Sequence, residues 1–261
     1  MSGSAARAYE RVRVAAGEGI ATITLANPQR RNALGPQMIS ELLWALEDAR
    51  ADEAVRAIVL TGEGKAFCAG GDFTSAPDAS ALPSKGDFVD LLLALYRSDK
   101  PVVARVNGDA MGGGLGLVAA STLAVAASTA RLGTPEIDLG LFPMMIMAVL
   151  ARHVPRRRLT EMMLLGQRFD AAEAARLGLV NRAVAPEALD AEVAAITSAL
   201  AGKSASTVRL GLRAFAAQDD LELERALPFL RDRLAEVLAT EDAREGLMAF
   251  VEKRAPAWKG R

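Results

Sequence analysis

The 261-residue sequence predicts an α/β fold, a layered core with parallel strand pairings continued by a helical C-terminal region. Three observations carry this. Over residues 1–140 short apolar runs alternate with segments of helical spacing, the order that builds strands joined by crossover helices. Beyond residue 140 nearly every segment has helical periodicity. No Pro/Gly/Ser-rich linker, repeat or low-complexity tract divides the chain. The expected organisation is a core over 1–195 that carries the site and a helical extension over 196–261, forming one continuous unit.

Element by element, Tyr9 to Ala15 alternates, Ala16–Gly19 turns, and Ile20, Thr22, Ile23, Thr24 and Leu25 are strand formers. Met38, Ile39, Leu42, Leu43, Leu46 and Ala49 follow helical spacing. Val55–Leu60 reads as a buried strand, Val89–Tyr96 as a helix and Pro101–Val106 as another buried strand. Leu123–Ala127 and Arg131–Gly133 read as two short strands. Residues 143–165 and 170–177 are helical in pattern, and Leu179–Val184 is a short strand. Pro186–Ala201, Ser204–Ala217, Leu221–Ala239 and Glu241–Lys253 are helical. Breaks at Lys203–Ser206 and Gln218–Asp220 supply capping residues.

Composition excludes several classes. The chain is 51% hydrophobic and 24% charged, with 31 basic and 32 acidic residues and a net charge of −1. That balance argues against bulk affinity for nucleic acid or anionic membrane, though not against a local basic patch. One cysteine, Cys68, rules out an intramolecular disulfide and a cysteine-rich zinc site. With one histidine, His153, a histidine-based metal site is not expected. The apolar stretches near 115–127 and 141–151 are too short or interrupted to span a bilayer, which needs about 20 apolar residues. The N-terminal residues lack a signal-type run. The expectation is a soluble cytoplasmic protein with no metal and no separate cofactor. Cys68 reads as a small buried hydrophobe and His153 as structural or superficial, and no G-x-S-x-G elbow is present.

Three segments are candidates for chemistry. GEGKAFCAGGDF, residues 62–73, follows a strand. Its glycines permit close backbone approach to a ligand, or they make an ordinary turn. NGDAMGGGLGLVAA, residues 107–120, places Gly112, Gly113, Gly114 and Gly116 at a helix start. Each glycine inside a helix costs about 0.5–1 kcal/mol against alanine, so four need a reason. Either backbone N–H groups are exposed to an anion or oxyanion, or the helix packs closely on a sheet. Gly114, Gly116 and Ala119 imitate a dinucleotide fingerprint, but the residues between strand and glycines do not suit one. RLGTPEIDLGLFP, residues 131–143, sets Glu136 among apolar neighbours, which raises a carboxyl pKa and suits proton transfer near neutral pH. Asp138 is the competing carboxylate.

Together with NPQRRNAL at 27–34, KPVVARVNGDAMGGG at 100–114 and AFVEKRAPAWKGR at the C-terminus, these segments resemble the crotonase, or enoyl-CoA hydratase/isomerase, superfamily over nearly the whole chain. The resemblance implies a ββα superhelix with two near-perpendicular sheets, helical trimerisation and an acyl-CoA thioester substrate, coenzyme A being part of that substrate. It places the oxyanion-hole amides at Gly71 and Gly113 and the acid/base glutamate at Glu136. For substrate binding it indicates Arg30, Ala33, Ala69, Asp72 and Phe73, with Phe250 and Lys253 reaching a neighbouring subunit's ligand. The family's two-glutamate hydratases carry their other glutamate at the position of Gly116. The lone Glu136 therefore leans toward double-bond isomerisation. A one-glutamate hydratase, a thioester hydrolase or decarboxylase, and a non-catalytic CoA- or RNA-binding relative are the alternatives. Gly116 is expected to face the acyl group.

Overall fold

The structure, a computed structural model, describes residues 7–72 and 82–261. Strands β1 (Val12–Gly17) and β2 (Ile20–Leu25) form a hairpin. Its turn residues Glu18 and Gly19 both have left-handed φ, 52° and 79°, which matches the twist of the strands. There follow α1 (Pro36–Ala51), β3 (Ala57–Gly62), β4 (Ala66–Cys68), α2 (Phe88–Tyr96), β5 (Val102–Val106), β6 (Asp109–Met111) and α3 (Gly113–Ala120). Next come β7 (Leu123–Ala127), β8 (Arg131–Gly133), α4 (Met144–Leu150), α5 (Arg156–Leu165), β9 (Arg168–Asp170), α6 (Ala171–Arg176) and β10 (Arg182–Val184). Four helices close the chain: α7 (Leu189–Ala201), α8 (Ala205–Gln218), α9 (Leu223–Leu238) and α10 (Glu241–Val251).

A six-stranded sheet has the order β1-β2-β3-β5-β7-β10, and a four-stranded sheet has the order β4-β6-β8-β9. Every pairing is parallel except β1–β2 and β8–β9. Three times a strand of the large sheet passes directly into one of the small sheet, as β3–β4, β5–β6 and β7–β8. The sequence pattern follows from where each strand sits. β2 alternates, burying Ala21, Ile23 and Leu25. β3 is buried at all six residues, as a strand covered on both faces must be. Ile58 and Leu60 join the main core with Leu42, Leu46 and Phe67. Val59 joins Val103, Val125, Leu189 and Val193 under α7 on the opposite face.

Most expected elements are present, with shifts that have local causes. The strand expected at 55–60 starts two residues later. The helical stretch expected over 143–165 is two helices: α4 and α5 are separate, and Pro155 stands at the start of α5 with extended backbone. Strands β4, β6 and β9, each three residues long, lie in segments read as loop or left unassigned. Such short strands carry no periodicity and exist only because they pair with each other and with β8. The expected division at 195/196 falls inside α7, which packs on the large sheet, while α8, α9 and α10 pack on one another. Among the described residues no helix is long and apolar enough to cross a membrane.

Candidate active site

The chain crosses from the large sheet to the small one through glycines that admit no side chain. A Cβ on Gly62 would stand 2.4 Å from the Phe67 carbonyl oxygen and one on Gly108 2.0 Å from that of Lys65; beyond the crossing, in α3, one on Gly114 would stand 2.4 Å from the Cys68 carbonyl oxygen. Asn32, fully buried with φ 57°, ties the crossing together. Its Nδ2 donates to the carbonyls of Glu63 (2.9 Å), Ala66 (2.9 Å) and Phe67 (3.3 Å). Beyond Cys68 the strand runs into a parallel bridge between Gly71 and Leu34. There the Leu34 N–H donates to Gly70 O (2.7 Å) and the Asp72 N–H to Leu34 O (3.0 Å). This leaves the Gly71 N–H outside the ladder. Gly113 opens α3, so its N–H has no intrahelical acceptor.

These two amides face one space. A Cβ on Gly113 would lie 3.7 Å from the Gly71 nitrogen, and one on Gly70 3.6 Å from the Gly113 nitrogen. Among the described residues neither N–H has an acceptor. Both open into a cavity of about 450 Å³. Glu136 reaches the same cavity from the short 3-10 helix Pro135–Leu139. Its Oε1 would lie 2.8 Å from a Cβ on Gly112, whose φ is 50°. Glycine is required there twice, for the backbone and for room beside the carboxyl group. Oε2 of Glu136 is buried and has no hydrogen-bond partner. Burial pushes this carboxyl group above the ordinary glutamate range, and its own backbone N–H only partly opposes the shift. Apart from Asp72, the remaining side chains of the wall are apolar, chiefly Leu34, Ile39, Phe88, Leu139, Leu141, Phe142, Pro143, Met144, Met145 and Ile146.

The four glycines of the α3 start thus divide between the two readings left open by the sequence. Gly112 and Gly113 serve the cavity, whereas Gly114 and Gly116 serve packing. Gly116 corrects an expectation: it does not line the cavity. A Cβ there would stand 2.4 Å from Ile146 Cγ2 and 3.5 Å from Leu92 Cδ2. Ile146 of α4 lies over Gly116 and itself forms cavity wall.

Of the other expected residues, Ala69 and Asp72 line the cavity. Arg30 is at the rim, its Nε 3.8 Å from Asp72 Oδ2. Ala33 stops short of the wall, where its neighbour Leu34 takes part instead. Phe73 lies outside the described residues. Phe250 and Lys253 do not line this chain's cavity, and Phe250 is 83% exposed at the end of α10. Asp138, the rival carboxylate, turns toward the end of α5, where a Cβ on Gly166 would meet its Oδ2 at 3.1 Å. Cys68 is fully buried with its thiol pushed up to about 12 by burial. His153 Nε2 lies 2.9 Å from Ala119 O at the end of α3, a structural contact. Phe88, Ile39 and Ile146 were missed because they converge from three helices, and only the amphipathic spacing of Ile39 hinted at an inward face.

Two sheets joined strand by strand, with paired free amides opposite a buried carboxyl group in an apolar cavity, define a crotonase-type α/β protein. Comparison with known proteins agrees. The enoyl-CoA hydratase/isomerase family model matches residues 15–261, and the chain belongs to this family. It is similar to the mouse (Mus musculus) mitochondrial enoyl-CoA hydratase domain-containing protein 3, with 33% identity over 245 residues, 92% of this chain and 82% of the relative. Among solved structures it resembles enoyl-CoA hydratase of Mycobacterium smegmatis, at 38% identity and a TM-score of 0.90, covering 95% of this chain and 99% of that one. It also resembles enoyl-CoA hydratase of Bacillus anthracis, at 29% identity and a TM-score of 0.88, covering 97% and 100%.

Proposed function

We propose that the protein shifts the double bond of a 3-enoyl-CoA thioester into conjugation with the thioester carbonyl, using Glu136 as its one acid/base group. The observation that carries this is the Glu136 carboxyl group, which among the described residues is the one unpartnered carboxyl group in the cavity. Among the described residues the second carboxylate of a two-glutamate hydratase has no counterpart, because Gly116 bears no side chain and Ile146 covers it. The other cavity carboxylate, Asp72, sits beside Arg30 at the rim.

In this mechanism the thioester oxygen accepts hydrogen bonds from the Gly71 and Gly113 N–H groups. Glu136 removes a proton from the α-carbon, and the C–H electron pair passes into a dienolate whose negative charge rests largely on that oxygen. The protonated Glu136 then returns the proton to the γ-carbon. The double bond moves from the β,γ to the α,β position with no net gain or loss of atoms. A buried carboxyl group with a raised pKa suits a proton that is taken up and given back. Each oxyanion donor is worth about 2.7–4 kcal/mol in such transition states. The apolar wall holds the acyl chain, and Arg30 at the rim suits the diphosphate of coenzyme A.

A second reading, hydration of a 2-enoyl-CoA by Glu136 alone, is favoured by the enoyl-CoA hydratase names of the relatives. A panel of 3-enoyl-CoA, crotonyl-CoA and saturated acyl-CoA separates the readings. Conjugation of the 3-enoyl substrate, with hydration at least tenfold slower and no free thiol, supports isomerisation. Rapid loss of crotonyl-CoA absorbance overturns it. Glu136→Gln should abolish whichever activity is found while leaving acyl-CoA binding nearly intact. The proposed setting is the cytoplasm, where a buried free thiol such as Cys68 stays reduced.

The proposed assembly is a closed oligomer, a trimer or pair of trimers, with Phe250 and Lys253 meeting a neighbour's ligand. Leu227, Leu234, Leu238, Leu247, Phe250 and Val251 are each more than half exposed in the single chain. Apolar surface on this scale marks an interface. Light scattering should show no monomer at micromolar concentration.

A further inference from the structure

A second and larger cavity, about 610 Å³, lies at the opposite edge of the six-stranded sheet. Its floor is the chain entering β3 and β5 (Val55, Arg56, Lys100, Pro101), whereas Gly71 and Gly113 lie beyond the far ends of those strands. Helices α1, α7 and α8 and the C-terminal residues complete the wall. Eight cationic side chains line it against two carboxylates, Glu53 and Asp99.

The charge is only partly neutralised: Lys259 (3.3 Å) and Arg261 (3.2 Å) pair with Glu241 outside the cavity lining. Asp99 is shared between Arg50 (3.1 Å) and Arg213 (2.5 Å). Burial would raise its pKa, but those two guanidinium groups hold it below the ordinary aspartate range. Arg56, Lys203 and Arg209 have no anionic partner among the described residues. Lys100 Nζ donates to two backbone carbonyls, Ala49 O (3.0 Å) and Asp52 O (2.6 Å). Burial lowers its pKa; attraction to Asp52 and Asp99 opposes that shift, and repulsion from Arg56 and Arg209 adds to it. Repulsion among cations held around one concavity is the mark of a site short of an anion.

The wall is also prearranged. Asp242 is 1% exposed. It accepts hydrogen bonds from Ser204 Oγ (2.6 Å), the Lys259 N–H (2.7 Å) and the Gly260 N–H (3.0 Å), clamping the C-terminal residues beside α8.

From the size of this cavity and its uncompensated charge we infer a binding site for a small oligophosphate anion, separate from the acyl-CoA cavity. Guanidinium groups pair with phosphate in a bidentate fashion. Several unpaired cations in one cavity call for an anion bearing three or more charges. The cavity has the size of small-ligand sites, about 300–1,000 Å³, so a compact anion fits it rather than an extended nucleic acid. Bridging the heads of β3 and β5 to α8, the anion fixes the C-terminal helices against the core.

Calorimetry with inorganic tripolyphosphate in 0.15 M NaCl tests the site on the whole protein. Saturable binding of one anion per chain, with a dissociation constant below about 1 mM, is expected. Arg56→Gln/Arg209→Gln removes no ion pair and should weaken binding at least tenfold while leaving acyl-CoA turnover unchanged. At a tenfold excess over the dissociation constant the unfolding midpoint should rise by about 3 °C in the unmodified protein. A parallel titration with ATP assigns the source: equal affinity points to a free phosphate chain, and tighter binding to a nucleotide. In either case the double variant must lose it. Absence of binding, equal binding of sulfate, or equal affinity in the double variant overturns the site.

Discussion

Placing a carboxylate at position 116 tests the proposal that the site works with one acid/base group. The sequence alone suggests that Gly116→Glu would create the paired-carboxylate arrangement of a hydratase. In the folded protein, a Cβ at 116 would stand 2.4 Å from Ile146 Cγ2, a separation no relaxed contact shows. The first carbon of the new side chain therefore forces α4 away from α3. Overpacking of this kind costs about 1–3 kcal/mol. A buried carboxylate without a partner adds about 1–3 kcal/mol, and the better helix propensity of glutamate offsets about 0.5 kcal/mol. A net loss of about 1.5–5.5 kcal/mol lowers the unfolding midpoint by about 3–20 °C in a chain of this length. Crotonyl-CoA hydration should not rise. Ile146→Ala removes the offending methyl group, and the combined variant exchanges one side-chain volume for another. It should recover at least about 1 kcal/mol relative to Gly116→Glu, a coupling expected only between touching residues. It should also hydrate crotonyl-CoA at least tenfold faster than the unmodified protein. Differential scanning calorimetry and loss of enoyl-thioester absorbance provide the two readouts. Gly116→Glu with an unchanged midpoint would refute the packing argument. A stably folded double variant with no gain in hydration would refute the view that Ile146 occupies the place of a second acid/base group.

Replacing Gly113 by proline removes one amide donor at a helix position that tolerates proline; turnover should fall by about 10²–10³-fold with circular dichroism unchanged, and full activity would move the oxyanion site elsewhere. In the proposed mechanism ionised Glu136 acts as the base, so the acid limb of kcat/KM should lie above the ordinary glutamate range, and a limb at the usual position would contradict the burial argument. The same shift has a stability consequence. A carboxyl group whose folded pKa is raised favours the fold in its neutral form. Its destabilising effect is therefore absent below the unfolded pKa and complete once the pH has risen past the folded one. Glu136→Gln should accordingly raise the unfolding midpoint at pH 8 and leave it nearly unchanged at pH 4.

The order of strands and helices in the first 140 residues was legible because each long element repeats one physical pattern. β2 alternates because it has a buried and an open face, β3 is continuously apolar because α7 covers its second face, and α1 repeats apolar residues toward the core. Gly71, Gly113 and Glu136 could be singled out as candidates in the sequence because their motifs stand in a fixed order along the chain. Their convergence on one cavity was decided by tertiary structure, since β4 and β6 bring the two amides together only by pairing side by side. The fate of Gly116 was likewise invisible in the sequence: the atom that closes its space belongs to Ile146, thirty residues away on another helix. Net charge gave no sign of the basic cavity either, because 31 cations and 32 anions cancel in a sum but not in space. Periodicity records which face of an element is buried, whereas close contacts and local charge depend on which faces the fold brings together.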